Sequence, residues 1–152
     1  MKFISIVSLF ILSFSFSSCD TYTAQQIDSF DQQIQNFVAK QSETYEKSES
    51  GMYYFIEEEG EGEYIKFTDV VTFKYEGKFL TGEAFDHRHR RTPVTFKVTQ
   101  LIEGWKEAFV YLKKGGKAKI ILPPYLAYGD HKLEDIPANS ILFFTIEVVD
   151  VK

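Results

Sequence analysis

The chain has 152 residues, of which 44% are hydrophobic and 16% aromatic, and its formal net charge is −5 at pH 7. This length allows one domain of ordinary size and an appendage. The acidic balance and the lack of the usual nucleic-acid-binding motifs argue against a nucleic-acid partner. The single cysteine, Cys19, excludes an internal disulfide framework and a cysteine-based zinc knuckle.

The N-terminus has the layout of a secretory signal. Residues 1–18 carry a lysine at position 2, continue as an apolar run and end in small residues. The run is shorter than the ~20 residues that a membrane-spanning helix needs. The tetrapeptide Phe16-Ser17-Ser18-Cys19 resembles the lipobox of bacterial lipoproteins, although an aliphatic residue is usual at the position of Phe16. We therefore predict a signal peptide over residues 1–18 and a lipid anchor at Cys19.

Two alternatives to this anchor are a cleaved signal with a chance cysteine and an uncleaved anchor. A lipidated cysteine holds a protein at a membrane without spanning it. The predicted location is the bacterial cell envelope, with the protein anchored by lipid and facing the periplasm. The residue after the cysteine, Asp20, bears on whether the protein is held at the inner or the outer membrane, but it does not decide between them. We expect the outer membrane.

Residues 19–50 form a predicted polar stalk and linker. One narrow apolar stripe at helical spacing indicates a helix that leans on the domain or spaces it from the membrane, and it consists of Ile27, Phe30, Ile34, Phe37 and Val38. A dimerisation seam is the alternative, but the stripe has fewer than three clean heptads, so we expect a monomer. The charged, Ser-rich stretch 42–50 is interpreted as the linker.

Residues 51–152 are predicted to form the domain. Strand patterns run over residues 52–58, 71–75, 94–98, 117–122 and 141–151. Residues 77–82 are interpreted as a loop or hairpin that leads to residues 84–86. One amphipathic segment lies among them, with apolar residues from Leu101 to Leu112 at helical spacing before Gly115. The predicted fold class is α+β, an antiparallel half-barrel sheet of four to six strands wrapped around one short helix and preceded by the stalk helix. The apolar face of that helix must form the core or line a concave pocket.

The pattern of reactive residues does not favour nucleophilic or metal chemistry. His87 and His89 could share one side of a strand, but no third ligand stands at a convincing spacing, so we predict no metal and no cofactor. The basic run 87–91 is interpreted as a solvated loop, or alternatively as a rim that attracts acidic polypeptide segments.

A set of motifs in a defined order carries a family resemblance. The motifs are Tyr75, Phe85-Asp86, Pro93-x-x-Phe96, Leu101-Ile102-x-Gly104-Trp105-x-Glu107-Ala108, Leu126-Ala127-Tyr128-Gly129, Ile136-Pro137 and Phe144. In order and rough spacing they resemble the FKBP-type peptidyl-prolyl cis-trans isomerases, here in a bacterial lipoprotein form. The similarity extends over about residues 51–152.

This resemblance implies a site and an activity. The implied catalytic residues are Phe85, Asp86, Trp105 and Tyr128. The implied substrate-binding residues are Tyr75, Val94, Phe96, Leu101, Ile102, Ile136 and Phe144. Three features depart from the family pattern: Val94 replaces a pocket phenylalanine, Ala138 replaces the second proline of Ile-Pro-Pro, and the loop 130–135 is short and charged.

The implied function is rotation of Xaa-Pro bonds in exported or envelope proteins, so the implied partners are proline-containing polypeptides. The alternative is a non-catalytic module that binds proline-containing or apolar segments during folding or assembly. The intact set of Phe85, Asp86, Trp105 and Tyr128 favours the enzyme. The lipoprotein signal, short stalk and single domain also resemble accessory isomerases of gliding motility.

Overall fold

A single antiparallel sheet organises residues 21–152, the part of the chain that the computed structural model describes. The predicted signal peptide and Cys19 lie outside these residues. The strands are β1 (Glu46–Lys47), β2 (Tyr53–Glu58), β3 (Val70–Phe79), β4 (Ala84–Asp86), β5 (Val94–Lys97), β6 (Lys117–Leu122) and β7 (Leu142–Val151). They pair in the order β1-β2-β6-β7-β3-β4, and β5 also pairs with β3. The helices are α1 (Ala24–Val38) and α2 (Glu103–Phe109).

The main core lies between one face of the sheet and α2. From Leu142 to Val148 every second residue of β7 points into it, as the alternating pattern predicts: Leu142, Phe144, Ile146 and Val148 are all buried. From α2, Trp105, Ala108 and Phe109 pack against this face. The prediction of an α+β half-barrel around one short helix is therefore confirmed.

The helix α2 is shorter than its apolar pattern. Ile102 has extended backbone angles (φ −64°, ψ 155°) and caps the helix, so Leu101 and Ile102 precede it. Leu112 is fully buried beyond the C-terminal end of α2. These residues belong to the same core although their backbone is not helical. Apolar spacing predicts which residues are buried, but it does not show where the hydrogen-bonded helix begins and ends.

The helix α1 packs against the opposite face of the sheet. Ile34 is fully buried there with Tyr53, Ile121 and Ile141. The Tyr53 hydroxyl donates to Asp31 Oδ1 at 2.9 Å, and this carboxylate also accepts from Lys47 Nζ at 2.6 Å. The helix therefore leans on the domain, as the first of the two predicted roles requires. Among residues 21–152, no helix has the length and apolar character needed to cross a membrane.

The sheet has seven strands where the sequence predicted four to six. The strand beyond the predicted number is β1, which has two residues and lies inside the stretch 42–50 that was interpreted as linker. The residues Glu46 and Lys47 are exposed and charged, so they carry no apolar alternation that could indicate a strand. Backbone pairing with Tyr53 and Tyr54 of β2 makes this segment a strand.

Candidate active site

A cavity of about 440 Å³ opens where β3, β4, β7 and the start of α2 meet. Its volume falls within the ~300–1,000 Å³ of small-ligand sites. The residues that line it are Phe73, Tyr75, Phe85, Asp86, Arg88, Phe96, Gln100, Leu101, Ile102, Trp105, Tyr128, Leu133, Glu134, Asp135, Ile136 and Phe144. The structure thus brings together every predicted pocket residue except Val94.

Trp105 is surrounded by aromatic rings at the base of this cavity. Its ring makes edge-to-face contacts with Phe73, Tyr75 and Phe144 at centroid distances of 5.0, 4.9 and 5.0 Å. Only 6% of its surface is exposed. Its indole N–H is buried and has no hydrogen-bond partner among the described residues. Edge-to-face packing of this kind fixes ring orientation, so the cavity has a rigid apolar floor.

One wall of the cavity depends on a glycine near the C-terminal end of β3. Gly77 pairs with Asp86 of β4 and with Phe144 of β7. A Cβ atom at Gly77 would lie 2.5 Å from Phe85 Cζ and 3.0 Å from Phe144 Cε1. The absence of a side chain therefore lets these two rings meet edge-to-face at 5.6 Å across the strand.

Asp86 is a carboxylate held in place by its neighbours. The Tyr75 hydroxyl donates to its Oδ2 at 2.6 Å, and the Arg88 backbone N–H donates to its Oδ1 at 3.1 Å. Its side chain is 13% exposed. Burial opposes ionisation, but the hydrogen bonds from Tyr75 and Arg88 together lower the pKa of Asp86 below its ordinary value. Asp86 is therefore ionised at neutral pH and is a fixed negative charge beside the cavity.

Two hydrogen-bond donors stand beside the apolar floor. Burial, and secondarily the charge of Asp86, raises the pKa of Tyr128, so its phenol stays protonated. Neither the Tyr128 hydroxyl nor the Ile102 backbone N–H donates to another group among the described residues. Both are consequently free to donate to a bound carbonyl.

The rim of the cavity carries opposite charges. Arg88, whose side chain is 77% exposed, comes from the basic run, while Glu134 and Asp135 come from the short loop after Tyr128. From the sequence, these segments were recognised only as a basic run and a charged loop, and no single residue of either was predicted to belong to the site. The lining residues that sequence reasoning missed are Phe73, Arg88, Gln100, Leu133, Glu134 and Asp135. For Phe73 a signal existed, because it shares a face of β3 with Tyr75.

Val94, predicted as a substrate-binding residue, is not among the residues that line the cavity. It pairs with Phe73 in the sheet and packs, half-buried, against the main core. Phe96 lies on the same face of β5 two residues later, and its longer side chain lines the cavity. A valine side chain ends close to the backbone, so it stays within the core packing.

The described residues 21–152 contain no group of three or more His, Cys, Asp or Glu side chains that could hold a metal ion. His89 instead stacks on the Tyr75 ring at 5.2 Å. The Tyr128 hydroxyl, the Ile102 N–H and the Asp86 carboxylate at the cavity can bind, orient and polarise an apolar ligand that carries carbonyl groups.

Comparisons with known proteins agree with this geometry. Residues 61–149 match the family model described as FKBP-type peptidyl-prolyl cis-trans isomerase. The isomerase FkpA of Buchnera aphidicola from Schizaphis graminum is 45% identical over 108 residues, which cover 70% of this chain and 43% of that protein. The chain thus spans less than half the length of this curated relative.

Solved structures show the same fold. The crystal structure of FkpA from Escherichia coli superposes with a TM-score of 0.74 at 36% identity, covering 85% of this chain and 61% of that one. The crystal structure of AtFKBP13 superposes with a TM-score of 0.65 at 30% identity, covering 70% of this chain and 98% of that one.

Proposed function

The chain belongs to the FKBP-type peptidyl-prolyl cis-trans isomerases, and we propose that it catalyses rotation of Xaa-Pro bonds in exported polypeptides. The observation that carries this proposal is the aromatic cavity over Trp105, with the ionised Asp86 and two unused donors beside it. A cavity of about 440 Å³ with an apolar floor suits a prolyl ring and the amide before it.

The reaction needs no covalent chemistry. Rotation about an amide costs ~18–20 kcal/mol because resonance holds the group planar. Xaa-Pro bonds populate both isomers but exchange over tens to hundreds of seconds. A site accelerates this exchange if it binds the twisted amide better than either planar form. The planar amide is the more charge-separated form, so removal of water by the aromatic walls disfavours it relative to the twisted form.

The residues that line the cavity have different roles in this proposed catalysis. The Trp105 floor and Ile102 hold the prolyl ring, while the Tyr128 hydroxyl and the Ile102 N–H donate to substrate carbonyls. Asp86 transfers no proton. Because Tyr75 and Arg88 fix its carboxylate, Asp86 sets the field at the amide carbonyl and keeps the neighbouring side chains oriented.

We further propose that Cys19 is acylated and holds the domain at the periplasmic face of a membrane, with the outer membrane as the expected site. Only Asp20 separates Cys19 from Thr21, where the described structure begins. Two residues span at most about 7 Å, and α1 folds back onto the sheet, so the anchor would keep the cavity close to the lipid surface. Replacement of Cys19 by serine should release the chain from the membrane fraction. The association with gliding motility stays a prediction.

The catalytic proposal is tested by the isomerisation of short Xaa-Pro peptides with the full-length chain in lipid nanodiscs. Asp86→Asn keeps the shape of the side chain and removes its charge, and it should lower kcat/KM by at least about tenfold, equivalent to ~1.4 kcal/mol of transition-state stabilisation. Asp150→Asn is the matched control, because Asp150 pairs with Lys114 away from the cavity. A folded parent that binds proline peptides without accelerating their isomerisation would refute the proposal.

A further inference from the structure

A second groove runs between the start of α1 and the loop that carries Tyr128. We call it the helix groove. Its volume is about 740 Å³, and its lining includes Tyr22, Ala24, Ile27, Tyr125, Tyr128 and His131. Ile27 belongs to the apolar stripe of α1, yet it is 39% exposed, whereas Ile34 of the same stripe is fully buried. The sheet therefore covers the C-terminal part of the stripe and leaves Ile27 facing the groove.

The wall of the helix groove that Tyr22 forms is held in place by a hydrogen bond and by ring packing. The Tyr22 hydroxyl donates to Asn139 Oδ1 at 2.8 Å, which ties the chain before α1 to the end of the 130–139 loop. The Tyr22 ring packs edge-to-face on Phe30 at 5.5 Å and lies 6.2 Å from Tyr125. Tyr22 itself is buried. A groove with walls fixed by such contacts is preformed and does not need to open for a ligand.

The helix groove adjoins the candidate active site at Tyr128. Tyr128 lines both cavities, so one aromatic side chain is the boundary between them. A polypeptide in extended conformation advances ~3.3–3.6 Å per residue. A chain bound across the active site can thus reach the helix groove within a few residues of its proline.

We propose that the helix groove binds the continuation of the client polypeptide, at an apolar residue a few positions away from the proline. This inference rests on the proposed function, because it places the proline in the first cavity. Ile27 and Ala24 provide the apolar contact, and the tyrosine rings provide flat walls with polar edges. The domain would therefore prefer unfolded segments that carry an apolar residue a few positions from Xaa-Pro over the isolated dipeptide unit.

The test compares three labelled peptides by fluorescence anisotropy on the full-length chain in lipid nanodiscs. One is a tetrapeptide with a central Xaa-Pro, and the other two extend it by apolar residues on its N-terminal or its C-terminal side. One of the extended peptides should bind about tenfold more tightly than the tetrapeptide, which corresponds to ~1.4 kcal/mol. Ile27→Glu should abolish this advantage. Gln25→Glu is the matched control, because Gln25 is exposed on α1 outside the groove lining and the variant gains the same charge.

Two results would overturn the proposal. Either neither extended peptide binds more tightly than the tetrapeptide, or the tighter binding of an extended peptide persists in Ile27→Glu. The first result is also expected if the segment that precedes Thr21 occupies the groove. Isomerisation of the tetrapeptide on the same samples reports on the proposed function alone. A groove effect without isomerisation contradicts catalysis only, and isomerisation without a groove effect contradicts the groove only.

Discussion

Tyr75→Phe isolates the hydrogen bond that holds Asp86. The variant keeps the ring that contacts Trp105 at 4.9 Å and removes only the hydroxyl that donates to Asp86 Oδ2 at 2.6 Å. A hydrogen bond to an ionised group contributes ~1.5–3 kcal/mol to stability. Because Asp86 is 13% exposed, water can replace part of the lost bond, so we expect the lower end of this range, about 1.5 kcal/mol.

The loss should depend on pH with a definite sign. The native pKa of Asp86 is lowered from 3.8, so its stabilising contribution is complete above 3.8 and is lost as the pH falls through the native value. Urea unfolding at pH 7 should show a midpoint lower by roughly 0.5–1.5 M, given slopes of ~1–3 kcal/mol/M. The difference between parent and variant should shrink in acid. A carboxyl titration by NMR should show a higher pKa of Asp86 in the variant, and kcat/KM should fall by up to about tenfold.

Tyr54→Phe is the matched control for this experiment. Its hydroxyl also donates to a carboxylate, Glu46 Oε2 at 3.0 Å, but this pair is exposed to solvent. We expect its loss to cost at most about 0.5 kcal/mol, as is usual for surface substitutions. Equal destabilisation by the two variants, or an unchanged pKa of Asp86 in Tyr75→Phe, would refute the reasoning that burial and preorganisation distinguish this hydrogen bond.

Three further predictions concern the walls, the helix and the rim. Gly77→Ala should destabilise the fold by ~1–3 kcal/mol and reduce peptide affinity, because its Cβ would displace Phe85 and Phe144; chemical denaturation and peptide titration measure the two effects. Ile34→Ala should cost ~2–5 kcal/mol in the same denaturation assay, since it leaves a cavity under α1, and a cost below 1 kcal/mol would show that α1 is not docked in solution. Arg88→Glu should shift preference from peptides with Glu beside the proline to peptides with Lys by a few-fold, and this shift should weaken in high salt because the side chain is exposed. Unchanged relative kcat/KM for the two peptides at low salt would exclude Arg88 as a selectivity residue.

Local periodicity accounts for most of the correct predictions about the fold. The alternation along β7 and the segment Lys117–Leu122 predicted strands that the structure contains. Period two and period 3.6 follow from backbone geometry within a few residues, so the sequence is enough to detect them. The strand β1 has no such pattern and exists only because β2 is available for pairing, and therefore the sequence could not indicate it.

The positions of the candidate site residues followed from a family resemblance and not from residue physics. Residue patterns alone left open whether the apolar face of the short helix forms the core or lines a pocket. The motif order selected ten residues that meet at one cavity, yet it also selected Val94, which packs in the core. A motif reports which position aligns with a pocket residue, while the length of the side chain at that position decides whether it reaches the pocket.

By itself, the sequence determined the class of fold, the acidic charge, the amphipathic stripe of α1 and the identity of the aromatic residues. Only the tertiary structure decided that α1 folds back on the sheet, that Phe85 crosses β3 at Gly77, and that Tyr128 separates two cavities. These features join residues far apart in the chain. Their proximity depends on how the whole sheet twists and packs, and no local pattern of residues encodes it.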